Sequence, residues 1–115
     1  MTIKREDLAN MRWGNVITGE TLAPVHPGEI LLHDYIEPMG LTRYRVAKSI
    51  NVPQRRIDEI CASKRAITAD TAIRLARLFG MDAQVWMNLQ AQYDLEVTEH
   101  ELGERIEQEV MPIAS

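Results

Sequence analysis

Residues 41–60 read LTRYRVAKSINVPQRRIDEI, and apolar residues recur at helical spacing on each side of a central turn. Each half therefore predicts a short helix with one face in a shared core. The core candidates on the two faces are Val46, Ala47, Ile50, Ile57, Ile60 and Cys61. Ala47 lies where the helices approach most closely, and its methyl side chain permits the steep crossing of a helix-turn-helix. This motif makes DNA recognition the first functional hypothesis.

Three polar or turn residues define the ends of these two helices. Thr42 is a plausible N-cap for the first helix. Asn51 occupies the turn, where the backbone must be left-handed and asparagine is the best tolerated residue after glycine. Pro53 falls at or beside the first position of the second helix, where its fixed φ is already suitable. Any helical hairpin with a tight turn is the alternative, but the register of all these residues favours the helix-turn-helix.

Charge is segregated along the chain, although the formal net charge is −4. Residues 42–77 carry nine basic and three acidic side chains, a net charge of +6. Residues 94–109 carry seven acidic side chains and one basic one, a net charge of −6. Because electrostatic attraction decays over a Debye length of roughly 8–10 Å, a basic face can bind DNA while the molecule as a whole stays anionic.

Length and composition restrict the class of protein. A chain of 115 residues suits one domain plus an arm or tail. Its single cysteine excludes an internal disulfide framework and fits a reducing compartment. No apolar run approaches the roughly 20 residues of a membrane span, and the N-terminus lacks the apolar segment of a secretory signal. We expect a soluble cytoplasmic protein that does not engage membranes.

The rest of the chain predicts further helices and no sheet. A helix is expected to begin at Pro27, with His26 as cap and Glu29 reaching back as in a capping box. A later helix is expected between Thr68 as cap and Gly80 as stop. The predicted fold is all-α, with five or six helices. The predicted divisions are an N-terminal arm (1–24), the helix-turn-helix domain (25–95) and an acidic C-terminal extension (96–115).

Two helices are predicted after Gly80. Asp82 can cap a helix with an apolar side, and Thr98 with Glu101 resembles a capping box for a final short acidic helix. The apolar side of the first of these helices consists of Val85, Trp86, Leu89 and Tyr93. From the residues alone, these side chains could complete the core of the monomer or form a two-fold interface, and core is the safer assignment for Trp86.

The outward face of the second helix of the motif should read bases. The candidates are Gln54, Arg55, Asp58 and Glu59. Arginine can form two parallel hydrogen bonds with guanine, glutamine can do the same with adenine, and a carboxylate can accept a hydrogen bond from cytosine. The alternative for Asp58 and Glu59 is that they orient Arg55 or Arg56, or are simply solvated. Phosphate contacts are predicted for Thr42, Arg43, Tyr44, Arg56, Lys64, Arg65 and Thr68.

Catalysis and metal binding are not predicted. The three histidines, His26, His33 and His100, do not cluster with Cys61 or with paired acids at metal-ligand spacing. No nucleophile set, Gly-rich phosphate loop or zinc pattern occurs. We therefore expect a protein that is not an enzyme and that uses no cofactor, metal or small-molecule substrate.

Four segments between His26 and Leu95 carry a specific resemblance. They read HPGEIL (26–31), KRAITADTA (64–72), WMNLQ (86–90) and YDL (93–95). With the helix-turn-helix, they resemble the HigA-type antitoxins, a branch of the phage-repressor (XRE) family. The resemblance implies a phage-repressor-like domain and a homodimer that represses its own operon. It also implies neutralisation of a HigB- or RelE-like toxin, a messenger RNA endonuclease.

The resemblance also bears on the interfaces. It favours dimerisation through the C-terminal region that contains Trp86, and a dimer with recognition helices about 34 Å apart would read a palindromic operator. It does not extend to the toxin-binding surface. A separate hypothesis is that the arm residues Leu8, Met11 and Trp13 become ordered when they bind the toxin. The alternatives are a repressor without a toxin and a protein-interaction module that uses the helix-turn-helix only as a scaffold.

Overall fold

The computed structural model describes residues 23–113, and every regular element in that range is helical. The elements are α1 (Pro27–Ile30), which runs directly into a π-helical segment (Leu31–Ile36), α2 (Arg43–Ile50), α3 (Gln54–Cys61), α4 (Ala69–Phe79) and α5 (Ala83–Glu109). The all-α prediction is confirmed. The π-helical segment was not expected. A hydrogen bond from the Glu37 N–H to the Leu32 carbonyl, 2.9 Å long, closes its last turn.

The predicted start of α1 at Pro27 is confirmed, but the Glu29 side chain makes no hydrogen bond back to the His26 N–H, so the capping box is not formed. His26 is the N-cap, and its Nδ1 accepts a hydrogen bond from the Gly28 N–H at 2.9 Å. The His26 ring is buried and packs edge-on against Tyr93, with 4.8 Å between ring centroids. Burial lowers the pKa of His26, so the neutral imidazole that accepts this bond is the favoured form. His26 thus joins the start of α1 to α5.

Helices α2 and α3 form the predicted helix-turn-helix. The Thr42 side chain accepts from the Arg45 N–H at 3.0 Å and caps α2. Asn51 ends α2 with φ 61° and ψ 51°, the left-handed conformation expected there. Pro53 is the N-cap of α3, with φ −62°. All six predicted core side chains of the motif are buried, and Ala47 is 2% exposed.

The core fills the space between the helix-turn-helix, α1, α4 and α5. Its largest fully buried side chains include Trp86, Leu31, Ile36, Ile57, Ile60, Ile67 and Leu75. Tyr35 lies between Phe79 and Trp86, with ring centroids 5.0 and 5.1 Å away. Trp86 is therefore a core residue of the single chain, as its size and position suggested.

The expected boundaries of α4 and the start of α5 are also found. Thr68 occupies the N-cap position of α4, although its side chain makes no capping hydrogen bond, and Gly80 ends the helix with φ 68°. The Asp82 carboxylate accepts from the Gln84 N–H at 2.9 Å and caps α5. One buried polar contact was not predicted: the Gln90 side-chain oxygen accepts from the Ile67 N–H at 2.8 Å and so fixes the loop before α4 against α5.

The prediction of a separate short acidic helix after Thr98 is wrong. α5 is one helix of 27 residues and passes through Thr98 and Glu101 without a break. The segment 94–102 contains no glycine or proline, and its leucine and glutamate residues are good helix formers, so a potential capping box there has no helix end to cap. The helix also crosses the proposed boundary between residues 95 and 96. The division into an arm, a domain and an extension stays a prediction, and residues 1–22 of the arm lie outside the described residues.

Candidate nucleic-acid interface

The outward face of α3 begins with two polar side chains. Gln54 and Arg55 occupy the first turn and are exposed, and the Arg55 side chain is 85% exposed. Ile57 and Ile60 are fully buried on the opposite face and fix the rotation of the helix against the core. The local sequence thus presents Gln54 and Arg55 to solvent from a rigidly packed helix.

Glu59 lies one turn after Arg55 and joins it to the loop that follows α3. Arg55 Nε donates to Glu59 Oε2 at 2.9 Å, and Arg65 Nη1 donates to Glu59 Oε1 at 3.0 Å. The hydrogen bond from Arg55 is the main cause that lowers the pKa of Glu59. The carboxylate is therefore ionised at neutral pH, and its charge is offset by two guanidinium groups.

Asp58 is turned toward α2. Its Oδ1 lies 3.5 Å from Arg43 Nε, which is within ion-pair distance, although no hydrogen bond to this oxygen is made within the described residues. Both predicted acidic base readers thus have arginine neighbours in the free protein. Their partners are Arg43, Arg55 and Arg65, whereas the sequence had suggested Arg55 and Arg56.

The predicted phosphate-binding residues lie on both sides of α3. Thr42, Arg43 and Tyr44 are exposed at the start of α2, and the Lys48 ammonium lies 5.8 Å from the centroid of the Tyr44 ring. On the other side, the exposed residues Lys64, Arg65 and Thr68 lie on the loop and at the start of α4. Two helix N-termini, with their free N–H groups, therefore flank the recognition helix.

Arg56, the remaining phosphate candidate, belongs to a second bridge that sequence reasoning missed. Asp70 accepts from Arg56 Nη1 at 3.0 Å and from Arg74 Nε at 2.8 Å. Arg74 also donates through Nη1 to the Ile50 carbonyl at the end of α2, at 2.8 Å. Arg74 thus ties α4 to α2. The spacing of Asp70 and Arg74 by four residues was the available signal.

The predicted dimer-or-core residues divide into two groups. Trp86 is fully buried and Tyr93 is half-buried against His26, so both face the domain. Leu89 is also half-buried and packs against the core, whereas Val85 is exposed. Helix geometry explains the difference, because Val85 and Trp86 are adjacent and point about 100° apart. The predicted toxin contacts Leu8, Met11 and Trp13 lie outside the described residues.

Neither a metal centre nor a reactive thiol is built into the described part of the chain. Between residues 23 and 113, no cluster of three or more histidine, cysteine or acidic side chains could hold a metal ion. Cys61 is buried, and desolvation raises its pKa to about 11. None of the helices in this range combines the length and apolar character needed to cross a bilayer. The arrangement is suited to binding a polyanion along the α2–α3 face.

The fold and this face define a helix-turn-helix protein, and residues 32–86 match the family model described as helix-turn-helix. The chain is 52% identical over 77 residues to virulence-associated protein I of Dichelobacter nodosus, covering 67% of this chain and 71% of the relative. Two solved structures of Pseudomonas aeruginosa proteins are also similar. One is the antitoxin HigA with the higBA promoter (38% identity, 78% of this chain and 98% of that chain, TM-score 0.77). The other is PA4674 with its operator DNA (36% identity, 83% and 100% coverage, TM-score 0.79).

Within the helix-turn-helix proteins, the chain belongs to the HigA-type antitoxins of the XRE family. The resemblance seen in the four sequence segments is thereby confirmed. This family consists of DNA-binding transcription regulators.

Proposed function

We propose that this chain binds the operator of its own operon and represses transcription by placing α3 in the major groove. The observation that carries the proposal is the pair of exposed side chains Gln54 and Arg55 at the start of a rigidly packed α3, between two helix N-termini. The related structures that contain promoter or operator DNA support it. In this proposal the protein acts by binding alone, in the cytoplasm, with no catalytic step and no cofactor.

The contacts divide into two classes. Arg55 can donate two parallel hydrogen bonds to guanine, and Gln54 can do the same for adenine, each giving discrimination of about 1–3 kcal/mol. The seven phosphate-binding candidates give register and affinity but no sequence information. They lie at the start of α2, on α3, and between α3 and α4, so they can contact the backbone on both sides of the groove.

Selection of duplexes from a random library tests this function and does not require the operator sequence to be known. The proposal predicts enrichment of an inverted repeat whose half-sites are centred about 34 Å apart, one turn of DNA. Enrichment of a single half-site would indicate that the protein binds DNA as a monomer and would contradict the proposed dimer. Absence of any enriched sequence would contradict the repressor function and favour the protein-interaction module.

The homodimer is proposed to form through a stripe on α5 that faces away from its own domain. Leu95, Leu102 and Ile106 are 56%, 40% and 44% exposed. Leu95 follows the buried Trp86 by nine residues, about two and a half turns, and therefore lies on the opposite side of the helix. The spacings of seven and four residues align the stripe along the helix axis. Exposed aliphatic side chains in such a row are typical of helix pairing.

Ile106→Asp tests this interface, with Gln108→Asp as its matched control. Positions 106 and 108 are both exposed, both variants add one negative charge to α5, and the two positions lie on nearly opposite sides of the helix. Sedimentation analysis should show that only Ile106→Asp shifts the protein toward the monomer. Equal effects of both variants, or of neither, would contradict the stripe as the interface.

We further propose that the chain neutralises a RelE-like toxin through a direct protein contact. The antitoxin family supports the existence of a toxin partner. Leu8, Met11 and Trp13 remain the candidate contacts. Deletion of residues 1–20 should abolish rescue of cells that express the toxin while leaving selected DNA bound. Full rescue by the deletion variant would rule out the arm, and a lack of rescue by the intact chain would favour a repressor without a toxin.

A further inference from the structure

The Glu59 carboxylate is the centre of an arginine pair on the proposed DNA-binding face. Its two oxygens each accept from a different guanidinium, Oε2 from Arg55 at 2.9 Å and Oε1 from Arg65 at 3.0 Å. The Glu59 side chain is only 32% exposed, whereas the Arg55 side chain is 85% exposed. The carboxylate thus lies beneath the arginines that it holds.

We propose that Glu59 is a positioning residue that sets Arg55 and Arg65 for DNA and contacts no base itself. The inference rests on the proposed DNA-binding function, and it assigns to Glu59 a role different from that of a base reader. Without it, a long arginine side chain on an exposed helix face would sample many rotamers, and each would have to be restricted on binding.

The atoms used in the pair support this role. Arg55 contacts Glu59 through Nε, which leaves both terminal amino groups, Nη1 and Nη2, free of that contact. These are the groups whose fork matches guanine O6 and N7. Arg65 contacts Glu59 through Nη1 and keeps its Nε and Nη2 for a phosphate. One carboxylate therefore orients a base reader and a phosphate contact at the same time.

Charge gives a second argument. An ionised carboxylate that pointed at DNA without a partner would be repelled by the phosphates. Because two arginines neutralise Glu59, the group can remain on this face in its ionised form. The lowered pKa of Glu59 agrees with such pairing.

Asp70 provides a comparison on the other side of α3. It also bridges two arginines, Arg56 and Arg74, but it lies on α4 and has no contact with Arg55. Asp70→Asn should therefore change affinity for all duplexes alike and leave base preference intact. Glu104→Gln, which removes one acidic charge from the C-terminal half of α5, controls for net charge alone.

The test compares base preference in full-length Glu59→Ala, Arg55→Ala and the double variant, using duplexes from the selection. At the base pair that Arg55→Ala relaxes, Glu59→Ala should also lose most of a discrimination that is about 5- to 150-fold in the wild type. The double variant should be no worse there than Arg55→Ala alone. Affinity for a scrambled duplex should change little, because the loss of an acidic group favours contact with the phosphates while the loss of Arg65 orientation opposes it.

Three results would overturn the inference. Glu59→Ala could relax a base pair that Arg55→Ala leaves intact, which would make Glu59 a base reader. The two substitutions could instead have additive effects at the same base pair, which would mean that the residues act independently. Preserved preference in Glu59→Ala would show that Arg55 needs no positioning. If the wild-type protein selects no sequence at all, the proposed DNA-binding function fails first and the inference fails with it. Thermal melting of each variant checks the fold. If Glu59→Ala melts early, Glu59→Leu replaces it, because leucine is of similar size but cannot accept a hydrogen bond from Arg55 or Arg65.

Discussion

Single residues set how closely helices approach in this fold, and Gly28 does so between α1 and α3. A Cβ at this position would overlap the backbone carbonyl of Ile60, the penultimate residue of α3. Only glycine lets α1 approach α3 so closely. The position of the recognition helix α3 therefore depends on the lack of a Cβ at Gly28 in α1.

Gly28→Ala should destabilise the protein by about 2 kcal/mol or more, because the backbone of α1 or α3 must shift to admit the methyl group. Gly103→Ala is the matched control, since a Cβ there meets no neighbouring atom among the described residues. Alanine in the middle of α5 should stabilise by about 0.5–1 kcal/mol. Urea denaturation measures the predicted loss of stability in Gly28→Ala and the predicted gain in Gly103→Ala. Equal stabilities for them would contradict the close approach at Gly28.

Cys61 should be inert in the folded protein. Its side chain is buried, and with a pKa of about 11 only about one thiol in a thousand is ionised at pH 8. A thiol-specific chromogenic reagent should therefore label Cys61 at the rate of unfolding and label the urea-unfolded chain at once. Rapid labelling of the native protein would show that α3 packs less closely than the structure indicates.

The helices show which parts of the structure the sequence could predict. Starts and stops that depend on one local residue, such as Thr42, Asn51 and Asp82, are found where they were expected. The bridge from Arg56 to Asp70 joins residues fourteen positions apart that only the folded chain brings together, so spacing alone could not reveal it. The absence of a helix end at Thr98 was equally hidden, because a capping box in sequence is indistinguishable from an interior Thr and Glu pair.

Thr42 and Thr98 allow a capping threonine to be compared with a threonine inside a helix. Thr42→Ala removes a side-chain acceptor from the first turn of α2 and should cost about 1 kcal/mol of stability. Thr98→Ala changes an interior position of α5 and should be neutral or stabilising by up to about 0.5 kcal/mol. Chemical denaturation measures both. A loss at Thr98 as large as that at Thr42 would indicate that α5 is interrupted there after all.

Charge is separated along the molecule between the proposed DNA-binding face and the far end of α5. The net charges of +6 over residues 42–77 and −6 over residues 94–109, inferred from sequence, fall on different helices. In the proposed dimer, two acidic segments approach each other while two basic faces approach DNA. Dimer formation and DNA binding should therefore respond to salt in opposite directions.

Raising the salt concentration should weaken DNA binding and strengthen the dimer. Each phosphate contact contributes about −0.9 to the slope of log affinity against log salt, so roughly three contacts per subunit give a slope of about −5 for a dimer. Screening of the acidic segments should lower the dimer dissociation constant over the same range. Anisotropy for DNA and sedimentation for the dimer measure the two responses. A dimer that weakened with salt would contradict an interface flanked by like charges.

If α3 reads DNA sequence through Arg55, fluorescence anisotropy with the selected duplex and a scrambled one should detect it. Arg55→Ala is compared with Arg105→Ala, which removes the same charge from the far part of α5, where Arg105 pairs with Glu109. Arg55→Ala should lose most of the preference for the selected duplex, whereas Arg105→Ala should keep it. Equal preference in both variants, or equal binding of the two duplexes by the wild-type protein, would show that Arg55 does not read DNA sequence.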